Sequence, residues 1–298
     1  MSEHEPHWGE RLVYLLALAA RLEDEGYYNI AKLLRAAADS TARRTAYRLN
    51  LPHDLPSLST ELNTARTALL GFGCSPDLIA ALERGKAALD TGRLPLYEEI
   101  GPVYVCRTCG HLVVGQTDAP CPTCHAWAAT FLAFEPIYWM NNLEPLESIE
   151  RLRQTPDEIA GLLTDLSASD LMRQPPDGGW SIQQVLAHLR DSQGLLDGRV
   201  RLMLAQDDPP LVSLGAADLL GDAAQPVTAG EIFERYRAER DELLDLLEDI
   251  PLMAWGRTGQ HPEFGQVTIR QQASYFAGHE LIHLRQLELL RRMNAGSV

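Results

Sequence analysis

The sequence predicts a mainly α protein, with a C-terminal four-helix bundle, an N-terminal helical segment and a small β-rich metal-binding unit between them. Two observations lead to this prediction. Apolar residues recur at three- and four-residue spacing before residue 95 and again after residue 145, as in amphipathic helices. The stretch between these regions instead has β-branched and aromatic residues around two Cys-x-x-Cys pairs. The pattern predicts a helical segment (1–95), a cysteine unit (96–135), a linker (136–145) and the bundle (146–298).

The composition is that of a globular protein. Hydrophobic residues make up 45% of the 298 residues and charged residues 22%, and a chain of this length can bury two modest cores. The formal net charge of −15 would repel a phosphate backbone, so we expect no nucleic-acid partner. The apolar run LVYLLALAARL is too short to span a bilayer, and the residues before it are polar and acidic. We therefore expect a cytoplasmic protein without a membrane partner.

The N-terminal segment begins with a helical repeat of apolar residues. Leu12, Leu15, Ala19 and Leu22 follow the spacing of one helix face, and Gly26 ends the run. A second apolar run follows in the stretch EGYYNIAKLLRAAADSTARRTA. These residues predict paired helices that serve as a scaffold.

The cysteine unit contains Cys106, Cys109, Cys121 and Cys124, arranged as two Cys-x-x-Cys pairs. Each pair can form a tight turn in which two thiolates converge, and two such turns complete a tetrahedral metal site. In a reducing compartment this pattern indicates metal binding rather than disulfides. Iron at the site would carry electrons, whereas zinc would only stabilise the fold, and the spacing does not separate the two metals.

This unit resembles the rubredoxin-like tail of rubrerythrins, in YVCRTCG and in the APCPTC stretch. The helical segment before it resembles the rubrerythrin core, so the resemblance covers about 120 residues. Where that family carries a Glu-x-x-His that binds its di-iron centre, this chain has Thr41 and Arg44. The resemblance therefore does not imply the family's peroxidase site. It does imply a possible homodimer built on the helical segment.

The C-terminal region contains four helical stretches separated by loops rich in proline and glycine. Ser181, after Gly-Gly-Trp, and Thr268 are residues that commonly cap helix N-termini. Four helices of this length with such loops are typical of a four-helix bundle. The predicted helices are approximately 147–166, 181–206, 229–249 and 266–293.

The last helix carries HELIH, the His-Glu-x-x-His spacing of zinc peptidases. His279 and His283 lie four apart and so share one helix face. Such a peptidase needs a third ligand well downstream, but Glu288 is the only nearby candidate and lies on another face. His188 lies in the apolar stripe of an earlier helix and can meet the pair across the bundle core. Three imidazoles with an open position form a catalytic metal geometry.

The motifs WSIQQVLAHLRD and GHELIHLRQ resemble those of the DinB/YfiT-like superfamily over residues 146–298. That family places its metal-binding histidines at positions matching His188, His279 and His283. The resemblance implies a divalent metal, zinc or nickel, and a small-molecule substrate. Related proteins include transferases that use low-molecular-weight thiols, so a thiol cofactor is also implied.

Two further residues are candidate catalytic groups. Asp191, one turn after His188, could form part of a polar pocket, or it could be a surface carboxylate paired with Arg190. His261, in the GQHPEFG stretch, could lie over the mouth of the metal site, or it could be an exposed loop residue.

The sequence therefore predicts a metal-dependent thiol S-transferase or hydrolase. Two alternatives stay open. One is a non-catalytic electron-transfer or metal-binding protein that uses iron on the four cysteines. The other is a metallopeptidase with Glu280 as general base.

Overall fold

The computed structural model describes residues 8–46, 48–49, 55–134, 143–176, 178–214 and 227–295. Most of these residues are helical, which confirms the predicted fold class. No helix in these ranges combines the length and the apolarity needed to cross a bilayer. The α-helices in the described ranges are α1 (Trp8–Asp24), α2 (Tyr28–Ala46), α3 (Leu55–Gly71), α4 (Pro76–Asp90), α5 (Tyr97–Ile100), α6 (Pro145–Leu163), α7 (Ala168–Met172), α8 (Ile182–Ala205), α9 (Ala229–Asp249) and α10 (Ile269–Ala295).

The strands form two small sheets. One has three strands in the order β2-β1-β3, and the other is an antiparallel hairpin of β4 and β5. Short 3-10 turns occupy Ala128–Thr130 and Leu252–Gly256. The strands are β1 (Val103–Cys106), β2 (Leu112–Val114), β3 (Phe131–Phe134), β4 (Thr258–His261) and β5 (Gly265–Thr268).

The chain divides into two compact units. The first takes the described residues up to Ile79 together with Val105–Val113 and Thr117–Leu132. The second takes Ala80–Tyr104, Val114–Gln116 and the described residues from Ala133 onward. This division differs from the predicted segment boundaries, because α5 and most of α4 group with the bundle. The predicted linker lies largely outside the described residues.

In the first unit, α1 and α2 pack together through small residues. Ala19 and Ala31 are fully buried and Ala38 is nearly so, which lets the two helix backbones approach closely. Gly26 takes a left-handed conformation (φ 84°) in the turn between them, a conformation that costs glycine little. Arg35 donates two hydrogen bonds, of 2.8 and 2.6 Å, to the Glu23 carboxylate and so ties the helices together.

In the second unit, α6, α8, α9 and α10 form the predicted four-helix bundle. α8 and α9 both begin with a capping box, in which Ser181 and Thr228 accept backbone N–H bonds from Gln184 and Glu231. Leu152, Leu196 and Leu243 are fully buried, or nearly so, where the helices meet. These residues form part of the hydrophobic core of the bundle.

The start of the last helix differs from the prediction. Residues 266–268 are not helical but belong to β5, and α10 begins only at Ile269. Gln271 donates its backbone N–H to Thr268 Oγ1, so Thr268 caps the helix as predicted. The β4–β5 hairpin pairs His261 with Gly265. Its residues before 266 lie in the predicted loop, and residues 266–268 lie in the predicted last helix.

Candidate functional site

Three histidines from two helices meet inside the bundle. His188 lies on α8, and His279 and His283 lie one turn apart on α10. The Nε2 atom of His279 is 3.2 Å from His188 Nε2 and 3.0 Å from His283 Nε2. His188 and His283 are buried, and the three rings offer ligand atoms within 4.8 Å of one another. The structure thus brings together the three residues predicted to bind a metal.

The geometry of these nitrogens suits a divalent ion. A tetrahedral ion with metal–nitrogen bonds of about 2.0–2.1 Å holds its ligand nitrogens about 3.3 Å apart, close to the 3.2 and 3.0 Å between these Nε2 atoms. Burial, followed by the neighbouring rings of His283 and His188, lowers the pKa of His279 to about 3. Burial also lowers the pKa of His283. Neutral imidazoles with lone pairs aimed at a common point are metal ligands.

Neighbouring side chains contact two of the three rings, those of His188 and His283. His283 Nδ1 is 2.8 Å from Gln286 Oε1, and because an amide oxygen only accepts, the ring proton lies on Nδ1 and Nε2 keeps its lone pair. Trp180, just before the cap of α8, packs its ring 4.9 Å from that of His188 and stacks on His283 at 6.2 Å. Trp180 therefore covers the histidine cluster in addition to closing the loop that precedes α8.

A small cavity extends from the histidine cluster. Its volume is about 70 Å³, which corresponds to roughly two water molecules. His279, Arg199 and His261 all contribute to its wall. The described residues that line it are Ser192, Leu195, Arg199, Ser213, Leu214, His261, Glu263, Phe264, Tyr275, Phe276 and His279.

His261 is a buried residue of the site. It is 4% exposed at the end of β4, so the alternative of an exposed loop histidine is wrong. Burial, helped by the charge of Arg199, lowers the pKa of His261 to about 4. His261 shares the cavity with His279, as expected of a residue near the metal site. A catalytic role for His261 stays a prediction.

Asp191 is paired with Arg190, as one of its two interpretations predicts. Its Oδ1 accepts hydrogen bonds of 2.9 and 2.6 Å from Arg190. Asp191 lies three positions after His188 on α8, and the cavity lining described above includes Ser192 and Arg199 instead. Pairing with Arg190 thus accounts for this carboxylate, and its predicted catalytic role is untested.

Glu280 lies in a buried ionic network. It is 3% exposed, and its carboxylate pairs with Arg240 and accepts a 3.3 Å bond from the Tyr236 hydroxyl. Arg240 also donates to the Leu152 carbonyl and, at 2.6 Å, to Gln193. A general base must face the substrate, whereas this carboxylate is engaged by scaffold groups. The arrangement argues against the peptidase alternative.

Several residues of the site were missed at the level of sequence. Ser192 and Arg199 follow His188 on α8 at four and eleven positions, and Tyr275 precedes His279 on α10 by four. These spacings keep each residue on the same helix face as a histidine. A polar stripe along each helix could therefore have identified these residues from the sequence. Glu263 lies in the hairpin turn and carried no such signal.

The four cysteines form a second cluster, in the first unit. Cys106 Sγ is 3.8 Å from Cys124 Sγ, and Cys109 Sγ is 3.6 Å from Cys121 Sγ. A tetrahedral ion with metal–sulfur bonds of about 2.3 Å requires sulfur separations of about 3.8 Å. The four-thiolate set therefore fits zinc or iron.

The backbone around the cysteines is arranged as two similar turns. Gly110 (φ 78°) and His125 (φ 60°) take left-handed conformations four residues after Cys106 and Cys121, and each donates its N–H back to that cysteine's carbonyl. Burial alone would raise the pKa of the Cys106 thiol, but hydrogen bonds from the Cys109 and Thr108 backbone outweigh it and lower the pKa to about 6. The turns thus favour the thiolate form, which binds a metal, at Cys106 and Cys121. Burial and neighbouring sulfurs instead raise the pKa of Cys109 and Cys124.

Comparisons with known proteins identify similarity in the bundle. A profile of the DinB superfamily matches residues 151–287. The chain is 25% identical over 154 residues to a protein of Oceanobacillus iheyensis, covering 51% of this chain and 83% of the relative. It is also 25% identical over 146 residues to a protein of Bacillus cereus, covering 48% and 83%. The names of both relatives contain the words "Putative metal-dependent hydrolase".

A solved structure is also similar. It is that of YfiT from Bacillus subtilis, described as "a probable metal-dependent hydrolase with an unusual four-helix bundle topology". The TM-score is 0.47 and the sequence identity 18%, over 54% of this chain and 93% of the other.

Proposed function

Because residues 151–287 form a domain of the DinB superfamily, we propose that this chain is a metal-dependent enzyme acting on a small molecule. His188, His279 and His283 hold the metal. The observation that carries the proposal is the convergence of their Nε2 atoms, at 3.0 and 3.2 Å, beside a cavity. Zinc and nickel both suit an all-imidazole ligand set. The names of the two relatives support metal dependence.

The proposed reaction is S-transfer from a low-molecular-weight thiol, or hydrolysis. A bound divalent ion would lower the pKa of a thiol or a water and so provide an anionic nucleophile near neutral pH. Around it, Gln286 fixes the tautomer of His283 and Trp180 shields two of the rings. The cavity adjoins His279, so part of a substrate could bind beside the metal.

The test is metal analysis of the purified protein beside His188→Ala. The wild type is expected to hold two metal ions per chain, one per cluster, and the variant one. His111→Ala is the matched control, because His111 bonds the Thr123 hydroxyl near the cysteines and should leave both ions in place. Two ions in His188→Ala would show that His188 is an ordinary core histidine and would overturn the proposal.

The four-cysteine cluster supports a second candidate function, electron transfer by iron. Cys109 is exposed and Cys124 half-buried, so an iron ion there could exchange electrons with a partner. Visible absorption of the purified protein, before and after dithionite, separates the two roles. A red protein that bleaches reversibly would support electron transfer, whereas a colourless zinc protein would leave the cluster a structural role.

A homodimer through the first unit is a further proposal. Apolar side chains on α1 and α2 are solvent-exposed, with Tyr14 at 65%, Tyr28 at 69% and Leu33 at 63%. A group of exposed apolar residues is typical of a protein interface. Light scattering of the wild type and of Leu33→Glu tests the proposal, and an unchanged monomer mass in both would overturn it.

A further inference from the structure

Arg199 is a buried cation whose hydrogen-bond partners among the described residues are neutral. Its side chain is 6% exposed. Its Nε and Nη2 donate to the Val212 carbonyl, Nη1 donates to Gln272 Oε1 at 2.7 Å, and Nη2 is 3.0 Å from His261 Nε2. Among the described residues, its hydrogen bonds thus include no carboxylate. Burying a charge that no carboxylate contacts by hydrogen bonding is costly. Burial lowers the pKa of Arg199 to about 10 although the charge of Glu263 opposes this, so this guanidinium favours a further anion.

The hydrogen bonds of His261 give a second, independent observation. Nδ1 accepts backbone N–H groups from Glu263 and Phe264, each at 3.2 Å, while Nε2 faces the Arg199 donor. A neutral imidazole carries a proton on one nitrogen and accepts only at the other. Donors on both sides therefore leave one ring N–H facing another N–H. If Nδ1 accepts the backbone bonds, Nε2–H and Arg199 Nη2–H converge on the same space.

We propose that Arg199 and His261 form an anion-binding subsite that holds the carboxylate of a small substrate or thiol beside the metal centre. A carboxylate oxygen placed between Arg199 Nη2–H and His261 Nε2–H accepts from both donors and resolves their conflict. Both donors line the cavity that also includes His279. This subsite rests on the proposed function and deepens it, because it names the substrate class.

The size of the cavity limits what enters it. About 70 Å³ accommodates a planar group of a few atoms, such as a carboxylate, rather than a whole metabolite. Guanidinium groups match the planar geometry of carboxylates. The rest of the ligand therefore extends beyond the cavity, and its reacting end lies on the His279 side.

Among the described residues that line the cavity, Glu263 is the one acidic group. It is half-buried, and burial raises its pKa while the charge of Arg199 opposes the rise. A substrate carboxylate in the same cavity would be repelled by an ionised Glu263. Removing the Glu263 charge should therefore tighten anion binding, whereas removing the Arg199 charge should weaken it.

The experiment compares two thiol series on the cobalt(II)-substituted protein. One series consists of ω-mercaptocarboxylates with two to four carbons, and the other of the matching mercaptoalcohols. Thiol binding is followed by the ligand-induced difference spectrum, with His188→Ala as the blank. The best carboxylate is expected to bind about 10- to 100-fold more tightly than its alcohol, as for a charge-assisted hydrogen bond. 2-Mercaptoethanesulfonate tests whether the subsite prefers a tetrahedral anion. If it bound more tightly than every carboxylate, the assignment of the subsite to carboxylates would be overturned.

Variants test which residues cause the preference. Arg199→Gln and His261→Phe should reduce it to about threefold or less, and Glu263→Gln should increase it. Arg201→Gln is the matched control, because Arg201 lies two residues along α8 in an exposed pair with Asp197 and should preserve the preference. Equal affinities for carboxylates and alcohols in the wild type would overturn the subsite and leave the proposed function standing.

A measurement that needs no metal distinguishes failure of the anion-binding subsite from failure of the proposed function. Acetate and acetamide are titrated calorimetrically into protein freed of metal by a chelator. Acetate is expected to bind at least about tenfold more tightly than acetamide, and Arg199→Gln should abolish the difference, even if no thiol reaches the cobalt. Binding of acetate that is no stronger than that of acetamide would overturn the subsite whatever the cobalt spectra show.

Discussion

The four cysteines and the three histidines reach similar ligand geometries by opposite routes. The cysteine ligands span 18 positions and come from two turns whose own backbone N–H groups point at the sulfurs. The histidine pair His188 and His279 is separated by 91 positions and meets only when α8 and α10 pack. The cysteine set fills a tetrahedron, whereas the histidine set leaves a position beside a cavity. A local, complete site suits stabilisation, and a distant, incomplete site suits chemistry.

The largest effect is expected from breaking the local site. Cys106→Ser should remove one metal ion per chain and unfold the cysteine turns, because metal binding contributes about 10–16 kcal/mol to the folding of comparable zinc modules. The bundle should keep its metal and its thermal transition. Metal analysis with hydrogen exchange measures both, and Cys74→Ser is the control. Loss of both ions in Cys106→Ser would contradict the independence of the two sites.

The helices that carry the histidine site are held together by the buried Glu280–Arg240 pair, which a second substitution can disrupt. Glu280→Gln leaves the Arg240 charge without its counter-ion and should lower the free energy of unfolding by about 3–5 kcal/mol. Replacing both residues by apolar ones, as in Arg240→Met with Glu280→Leu, should recover much of that loss. Chemical denaturation measures each variant.

The exposed pair Arg201–Asp197 provides the contrast to this buried pair. Asp197→Asn should cost at most about 1 kcal/mol, as for other surface ion pairs. If Glu280→Gln were no more destabilising than Asp197→Asn, Glu280 would not be a scaffold residue and would become a candidate catalytic group again.

The two sites also differ in what the sequence could reveal. The cysteine ligands were found from spacing alone, since a Cys-x-x-Cys turn is fixed by local geometry. The histidine triad needed the helical stripe on α8 and the family resemblance together, because nothing local links His188 to α10. The fold class followed from the same periodicity.

Three features were beyond this reasoning. His261 was predicted beside the metal site but not as a buried strand residue, because its burial depends on the β4–β5 hairpin. Arg199 was overlooked, since an arginine on a helix is usually exposed. The pairing of Asp191 with Arg190 depends on side-chain geometry. Residue spacing does not give that geometry, so both interpretations of Asp191 stayed open.

A third prediction concerns the pH dependence of the metal-free protein. The pKa of His279 falls to about 3 and that of His261 to about 4, from an ordinary value of 6.5. Below pH 6.5 the unfolded chain therefore binds protons that the folded state does not, and stability falls as the pH falls. The slope should approach about 1.4 kcal/mol per pH unit for each such histidine.

Guanidinium unfolding at pH 7.5, 6.5 and 5.5 measures this slope after chelation of the metal. His261→Gln should reduce the slope, because one of the contributing groups is gone. A free energy of unfolding that stays constant over this range would contradict the burial of neutral imidazoles in the bundle.

A fourth prediction concerns the orientation of a ligand ring. Gln286→Leu removes the acceptor for His283 Nδ1–H and should weaken metal binding at the histidine site about 10- to 100-fold. Competition with a chromophoric chelator measures this affinity. Glu288→Gln, an exposed change two residues later on α10, is the control and should leave the affinity unchanged. An equal loss in both variants would mean that the hydrogen bond from His283 to Gln286 does not govern the affinity.

The smallest effect should come from the tryptophans near the two clusters. Trp180 packs against His188 and His283, whereas Trp127 follows Cys124 by three positions and is 81% exposed. Filling the histidine site with nickel(II) should quench Trp180, so Trp180→Phe should remove the signal while changing the affinity by about threefold or less. Trp127→Phe should preserve it. If Trp127→Phe removed the signal instead, nickel would be entering the cysteine cluster first, and the division between a structural local site and an open distant site would have to be reversed.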